Sequence, residues 1–402
     1  MTQCWKQRRF LQPRRRRSES KEILLTGLST RALAESAAAS THGFVTLDFF
    51  GDRDQRNLSE GYSLLRDFSM PFSPEGLLEA SRGLGFDALV YTSNLENHPE
   101  VVEALAKGRV LLGNSPESIR QVRDWQVLRG FCRESLISFP PTLLPGEEKE
   151  ADLSIRWLLK PACSGGGHLI EQWDGRPLKK NQVLQAYVTG TPASVLFAAD
   201  GQKSVVLGLT EQLIGENGFG VSGQRWCGNI LPFAPQKSAS IFAGLERAVS
   251  LFTRRFDLCG VNGIDIIVDD DPDGTPAWYF LEVNPRYTGA MELVEHAYGL
   301  NIFRIHMEAM AGKLPGFSLL NRISGSYYGK GIVFAKQDIT VPETGAWLEK
   351  RRRDIPFPGD VIGAGHPVCT VFSQGVDRKS CLSNLLANAS AVRRETGDKT
   401  ED

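Results

Sequence analysis

Short apolar runs alternate with helical stretches between residues 22 and 115. Apolar runs of four or five residues indicate buried strands, and alanine-rich or amphipathic stretches indicate helices. We predict strands at 23–27, 44–48, 88–91 and 110–113, and helices at 30–39 and 101–107. This alternation predicts a small parallel sheet covered by helices.

A different pattern follows between residues 155 and 315. Glycine-rich turns separate β-type runs, which predict strands at 157–161, 183–189, 194–197 and 204–210. Helices are predicted at 115–133, at 238–256, where apolar residues form one stripe, and at 290–310. A hairpin is predicted between the last two of these helices, with strands at 263–268 and 278–284 around an acidic turn at 269–274.

These patterns predict a multidomain protein of the α/β and α+β classes. A basic, disordered tail covers 1–21, where Arg14 to Arg17 form a charged run, and an α/β domain covers 22–150. A second domain covers 151–315, after the charged linker 147–152. We predict a small β-rich C-terminal domain at 316–385 and a disordered tail at 386–402.

Composition excludes several classes of protein. The 402 residues are 41% hydrophobic and 23% charged, and the net charge is -1, so nothing points to a nucleic-acid partner or an anionic membrane surface. No apolar run approaches the roughly 18 residues that span a bilayer. Seven cysteines without a C-x-x-C pair indicate neither a disulfide framework nor a zinc site. A cytoplasmic protein is the simplest expectation.

The predicted hairpin is the strongest candidate for chemistry. Side chains alternate along a strand, so we expect Glu282 and Asn284 to share one face while Leu281 and Val283 face a core. Asp265 on the partner strand adds a second carboxylate, and such oxygens suit magnesium. Arg286 adds a cation that suits phosphate or carboxylate. An exposed polar sheet face with incidental ion pairs remains the alternative.

Three further segments are candidates for binding. Lys160 ends an apolar strand before Ser164, Gly165, Gly166 and Gly167, whose backbone N–H groups could approach a polyphosphate, although the spacing is not that of a P-loop and a flexible turn is the alternative. We interpret Gln185, Tyr187 and Val188 as a hinge that could hold adenine; a plain strand is the alternative. Residues 215–232 could form a mobile acceptor-binding loop through Arg225, Trp226 and Asn229, or an ordinary loop.

The order and spacing of these motifs resemble those of the ATP-grasp superfamily: a strand lysine with a glycine loop, a hinge, and then a hairpin that ends in E-x-N-P-R. The segment Leu112-Gly113-Asn114-Ser115-Pro116-Glu117 resembles the junction after its pre-ATP-grasp domain. The segments at 262–265, 299–306 and 365–371 are similar to those of predicted ATP-dependent carboligases, a branch related to biotin carboxylase. Some relatives accompany one-carbon pathways that use tetrahydromethanopterin or methanofuran-type cofactors.

The resemblance implies roles for individual residues. It implies a phosphate contact for Lys160, a lid for 164–167, and adenine or ribose contacts for the hinge residues Gln185 and Val188, although many members have glutamate at the first of these positions. Asp265, Glu282 and Asn284 match the magnesium ligands, and Arg286 matches the cation near the transferred phosphate. Members also have a second lysine on the helix that here runs from Arg123 to Arg129, so either an arginine replaces it or the contact is missing.

The activity that follows is ATP-dependent ligation, in which a carboxylate is activated as an acylphosphate and attacked by an amine. ATP and Mg²⁺ are the expected cofactors, with Mn²⁺ as an alternative ion, and a homodimer is compatible with the resemblance. One-carbon cofactor biosynthesis is a candidate setting. The alternatives are a carboxylase that uses bicarbonate and a non-catalytic ATP-binding regulatory protein.

Overall fold

The computed structural model describes residues 22–269, 278–322 and 325–398. The predicted basic tail and most of the predicted acidic turn lie outside these residues.

The first domain is the predicted parallel sheet with helices around it. Its five strands, in the order β3-β2-β1-β4-β5, are β1 (Ile23–Thr26), β2 (Phe44–Asp48), β3 (Gly61–Ser63), β4 (Ala88–Tyr91) and β5 (Val110–Leu111), and all pairs are parallel. The helices are α1 (Arg31–Ala38), α2 (Arg53–Arg56), α3 (Pro74–Ser81) and α4 (Pro99–Ala106). The strand order reverses between β1 and β4, and loops at such a point form a crevice suited to ligands.

Two segments predicted as single helices are divided. The first consists of α5 (Pro116–Val122) and α6 (Trp125–Glu134), and Asp124 caps the second by accepting the Gln126 and Val127 N–H groups. The second consists of α8 (Met291–Tyr298) and α9 (Ile302–Met310), and Gly299 lies between them at a positive φ of 66°. Local capping explains both breaks, because a capped start satisfies N–H groups that a continuous helix would bond internally.

A four-stranded sheet in the order β6-β9-β7-β8 follows, formed by β6 (Thr142–Leu143), β7 (Trp157–Pro161), β8 (Glu171–Gln172) and β9 (Gln182–Ala186). Thr142 pairs with Gln185, so this sheet begins before the predicted boundary at residue 150. The boundary prediction followed the charge of the linker and missed the pairing of a two-residue strand.

The largest sheet has eight strands in the order β14-β13-β10-β11-β12-β15-β19-β17. They are β10 (Thr191–Asp200), β11 (Ser204–Ile214), β12 (Trp226–Leu231), β13 (Cys259–Val268), β14 (Trp278–Asn284), β15 (Tyr327–Phe334), β17 (Arg352–Arg353) and β19 (Pro367–Gly375). Helix α7 (Pro235–Phe256) packs on one face and α8 and α9 on the other, and this sandwich contains two of the apolar cores. The short strands β16 (Ile339–Thr340) and β18 (Val361–Ile362) pair separately.

The C-terminal region confirms one prediction and corrects another. It is rich in antiparallel β-structure, as predicted, and its strands β15, β17 and β19 continue the eight-stranded sheet. Residues 386–396, predicted as part of a disordered tail, belong to helix α10 (Arg378–Thr396). Leu385, Ala389 and Val392 form a narrow buried stripe on it, and the many polar residues around that stripe conceal it in the sequence. No helix in the described ranges is long and apolar enough to cross a membrane.

Candidate active site

The β13–β14 hairpin brings the two predicted carboxylates together. Asp265 pairs with Glu282 in register, and a β-bulge follows, so that Ile266 pairs with Phe280 and Leu281 is the extra residue. Phe280 and Val283 therefore both enter the core, while Leu281 is half-buried. The predicted inward position of Leu281 is wrong, because a bulge changes the alternation of faces.

Asp265 accepts three side-chain hydrogen bonds. Its Oδ1 accepts hydrogen bonds from Ser194 Oγ at 2.7 Å and Gln212 Nε2 at 2.9 Å. Asn284 Nδ2 donates to its Oδ2 at 2.9 Å. Burial, followed by the negative charge of Glu282, raises the pKa of Asp265 to about 7.

This set of oxygens fits a divalent cation. Two carboxylates on paired strand positions repel each other, and a cation between them would remove the repulsion that raises the Asp265 pKa. Within the described ranges, no group of three or more His, Cys, Asp or Glu side chains could hold a metal. An ion held by Asp265, Glu282 and Asn284 would therefore complete its shell with water or substrate oxygens, as Mg²⁺ usually does.

Lys160 lies opposite these carboxylates at the end of β7. Burial lowers its pKa, and the charges of Glu282 and Asp265 act in the other direction. Its Nζ donates to Gln185 Oε1 at 2.6 Å, and Gln185 Nε2 donates to Thr142 Oγ1 at 3.0 Å. The Gln185 side chain, predicted near adenine or ribose, is buried and orients Lys160 instead.

The glycine loop is anchored at two backbone oxygens. Arg123 Nη2 donates to Ser164 O at 2.8 Å, and Trp226 N donates to Gly166 O at 3.0 Å. Gly167 has φ 69°, and a Cβ atom there would overlap the Gln224 carbonyl oxygen. Gly165, by contrast, faces open space. The loop is therefore held between Arg123, directly after α5, and Trp226 at the start of β12.

The predicted hinge lies at the end of β9. Tyr187 is 39% exposed, and the Arg156 guanidinium lies over its ring at 4.5 Å. Val188 is half-buried. Both remain accessible to a flat ligand, but no hydrogen bond of the site involves their side chains in the described residues.

Arg286 joins the hairpin to the first domain. Its Nη2 lies 2.6 Å from Glu96 Oε1 and donates to Asn284 Oδ1 at 3.2 Å. Glu96 is 1% exposed and follows β4, at the crevice where the strand order reverses. Glu96 and its neighbour Asn97 belong to none of the sequence motifs; the predicted parallel sheet is the signal that points to them, because they follow one of its strands.

Arg123 occupies the site from the end of α5. It lies 3.2 Å from Glu282 Oε2 and donates to Asn97 Oδ1 at 2.6 Å. Arg129, the other arginine of this segment, forms an ion pair with Glu147 at 2.6 Å. Arg123 is thus the arginine that provides a cation beside the predicted metal ligands.

The predicted acceptor loop is in part a strand. Trp226 and Asn229 belong to β12, so the prediction of a mobile loop is wrong for 226–231. Trp226 Nε1 donates to Asn229 Oδ1 at 3.0 Å, and the fully buried Asn229 donates to Thr210. Arg225 lies over the Phe334 ring at 4.2 Å. Asn229 therefore supports Trp226 from within the core and does not face a cleft.

Comparisons with known proteins agree with this geometry. The family model described as "ATP-grasp domain" matches residues 129–290. The carbamoyl phosphate synthase large chain of Xylella fastidiosa is 24% identical over 292 residues, which cover 67% of this chain and 26% of that protein. The chain therefore spans about a quarter of the length of the curated relatives that it matches.

Solved structures share the fold over most of the chain. The biotin carboxylase domain of 2-oxoglutarate carboxylase from Hydrogenobacter thermophilus, a dimer in complex with MgADP, ADP and bicarbonate, has a TM-score of 0.66 at 13% identity, covering 89% of this chain and 86% of that chain. The L-amino acid ligase of Bacillus licheniformis has a TM-score of 0.65 at 14% identity, covering 92% and 97%. Residues 129–290 thus match the ATP-grasp domain, and the chain shares the biotin carboxylase-like fold.

Proposed function

We propose that the protein is an ATP-dependent ligase that activates a substrate carboxylate as an acylphosphate, which an amine then attacks to form an amide. Three largely buried cations interact electrostatically with the Asp265–Glu282 pair, namely Lys160, Arg123 and Arg286, and this supports the proposal best. Fixed cations around carboxylates that suit a metal match the needs of phosphoryl transfer, where positioning and charge do most of the work.

Each residue then has a distinct task. Lys160 and Arg286 hold positive charge where the transferred phosphoryl group becomes most anionic, an effect of about 3 kcal/mol for each preorganised group. Asp265, Glu282 and Asn284 would hold the magnesium ion, which neutralises phosphate charge when bound. The loop 164–167 covers the phosphates, and Tyr187 and Val188 border the adenine. Arg225 and Trp226 border the acceptor, with Asn229 behind them.

A carboxylase that uses bicarbonate is the second candidate. The solved biotin carboxylase domain with MgADP and bicarbonate favours it, because the same activation of an acid would give carboxyphosphate. That relative is also a dimer, and a homodimer of this chain is a further proposal that light scattering tests. A cytoplasmic location follows from ATP as co-substrate. A regulatory protein without turnover is less compatible with the retained carboxylates and cations.

The test is ADP release across a panel of carboxylates and amines. The ligase is supported if release needs both partners, and incorporation of carbon-14 bicarbonate would instead indicate the carboxylase. We expect Glu282→Gln to lower turnover at saturating Mg²⁺ by roughly 100-fold, because one carboxylate ligand is lost. Glu308→Gln, on an exposed helix face, is the matched control. Intact turnover in the Glu282 variant would show that the metal assignment is wrong.

A further inference from the structure

The residues around the carboxylate pair form a closed ring of contacts, here called the active-site ring. Starting from the pair, Glu282 contacts Arg123, and Arg123 contacts Asn97. Glu96, the next residue back along the chain, contacts Arg286. Arg286 contacts Asn284, and Asn284 contacts Asp265. The ring thus joins the first domain to the hairpin on both sides of the carboxylates.

Several members of this ring have buried polar atoms without a partner. The donors in this state are Arg123 Nε, Arg286 Nε and Asn97 Nδ2. Both arginine side chains are about nine-tenths buried, with 9% and 10% exposure. Glu96 Oε2 is a buried acceptor of the ring in the same state. A buried donor without a partner costs about 1–3 kcal/mol, so three such donors within one ring favour a ligand that offers acceptor oxygens. Guanidinium and amide donors together suit an oxyanion.

The ion pair between Arg123 and Glu282 conflicts with the metal role of Glu282. Glu282 is 30% exposed and is the less enclosed partner, so it is accessible to an ion from solution. A carboxylate that ligates a divalent cation no longer neutralises a neighbouring guanidinium to the same degree. Metal binding would therefore leave Arg123 with an uncompensated charge beside the unpartnered Asn97 amide.

We propose that Arg123 exchanges partners: it holds Glu282 in the ligand-free protein, and when the metal takes Glu282 it binds, together with Asn97, a ligand oxyanion next to the metal. The inference rests on the proposed metal site and deepens it. The oxyanion is either the terminal phosphate of ATP or the acid substrate itself. Arg123 also holds the Ser164 carbonyl, so the exchange links metal binding to the position of the glycine loop.

The first test measures metal binding without nucleotide. Titration calorimetry with Mg²⁺ should show that Arg123→Gln binds the ion about fivefold more tightly than the unmodified protein, because a partly exposed ion pair no longer competes for Glu282. Arg120→Gln is the matched control, since Arg120 lies on the same helix, is 45% exposed and contacts Glu103. The control should leave Mg²⁺ affinity unchanged.

The second test identifies the oxyanion. If it is the terminal phosphate, Arg123→Gln should bind Mg·AMP-PNP about tenfold more weakly relative to Mg·ADP. If it is the acid, the loss should appear instead in bicarbonate or acetate binding to the Mg·AMP-PNP complex. Asn97→Ala should show the same loss of oxyanion affinity with unchanged Mg²⁺ affinity. This second variant keeps the test valid if Arg123→Gln fails to fold.

The proposal is overturned if Mg²⁺ binds Arg123→Gln no more tightly than the unmodified protein. It is also overturned if neither the affinity for Mg·AMP-PNP nor that for bicarbonate or acetate changes. These are binding measurements that require no turnover. A protein that shows the exchange but releases no ADP with any acid and amine would therefore disprove the ligase and leave the exchange intact.

Discussion

Two clusters of buried charge in this protein differ in how completely their members are satisfied. The active-site ring leaves donors of Arg123, Arg286 and Asn97 without partners. The second cluster, here called the Arg31 cluster, consists of Arg31, Glu292, Lys330 and Asp354, and none of its polar side-chain atoms is both buried and unpartnered. Each cluster joins the first domain to the rest of the chain.

The Arg31 cluster is saturated by its own contacts. The guanidinium donates to both oxygens of Glu292 and to both oxygens of Asp354. Lys330 Nζ donates to Glu292 and to the Gly289 carbonyl. Burial alone would raise the pKa of Glu292, but the charges of Arg31 and Lys330 hold it well below its ordinary value. Such a cluster fixes the arrangement of α1, α8 and β15.

In the active-site ring, the pKa of Asp265 is shifted in the opposite direction to that of Glu292. Burial and the like charge of Glu282 raise the pKa of Asp265 to about 7, and they outweigh its hydrogen bonds and the charge of Arg286, which lower it. A carboxyl pKa that is raised by burial and by a neighbouring like charge in a crevice is typical of functional sites. A network in which every buried charge is paired is typical of a structural role. The difference teaches that burial of charge alone does not identify a site; in the active-site ring it is accompanied by unpartnered donors.

The largest expected effect concerns the Arg31 cluster. Arg31→Met should lower the free energy of unfolding by about 3–5 kcal/mol, because Glu292 and Asp354 would keep buried charges with too few partners. Urea denaturation measures this change. Arg304→Met is the control, because Arg304 is 65% exposed and its ion pair with Glu308 is long, at 3.9 Å. This variant should change the free energy of unfolding by less than about 0.5 kcal/mol. Equal effects of the two variants would contradict a structural role for the cluster.

An intermediate effect is expected at the glycine loop over the active-site ring. Gly167→Ala should raise the KM for ATP about tenfold, because its positive φ and the Gln224 carbonyl both oppose a Cβ atom. Gly165→Ala adds the same methyl group in open space and should leave KM unchanged. Steady-state kinetics with ATP as the varied substrate distinguishes the two. Matching values would mean that loop position does not control ATP binding.

The last effect is a pH dependence that belongs to Asp265. A carboxyl whose folded pKa is about 7 and whose unfolded pKa is near 3.8 binds its proton more tightly in the folded state. Its contribution to stability is therefore present at low pH and is lost as pH rises toward 7, at no more than about 1.4 kcal/mol per pH unit. Unfolding free energies from pH 5 to 7 without Mg²⁺ should fall more steeply for the unmodified protein than for Asp265→Asn. Parallel profiles would contradict the raised pKa.

Local patterns sufficed for much of the fold. The parallel sheet of the first domain follows from apolar runs such as 44–48, which is β2 to the residue. The helix predicted at 238–256 is α7, extended by a few residues at its start. Such elements are predictable because one buried face imposes a period that neighbouring residues share. Helix α10 was missed because its buried stripe is narrow.

The sequence by itself determined the class of fold and the residue types of the candidate site, because Lys160, Asp265, Glu282, Asn284 and Arg286 belong to motifs that are local in the chain. Only the tertiary structure decided that Glu96 and Asn97 complete the ring, that Arg123 bonds the glycine loop, and that Gln185 orients Lys160. These contacts join residues far apart in the chain, across domains, and their geometry depends on strand register and on a bulge that local periodicity does not contain.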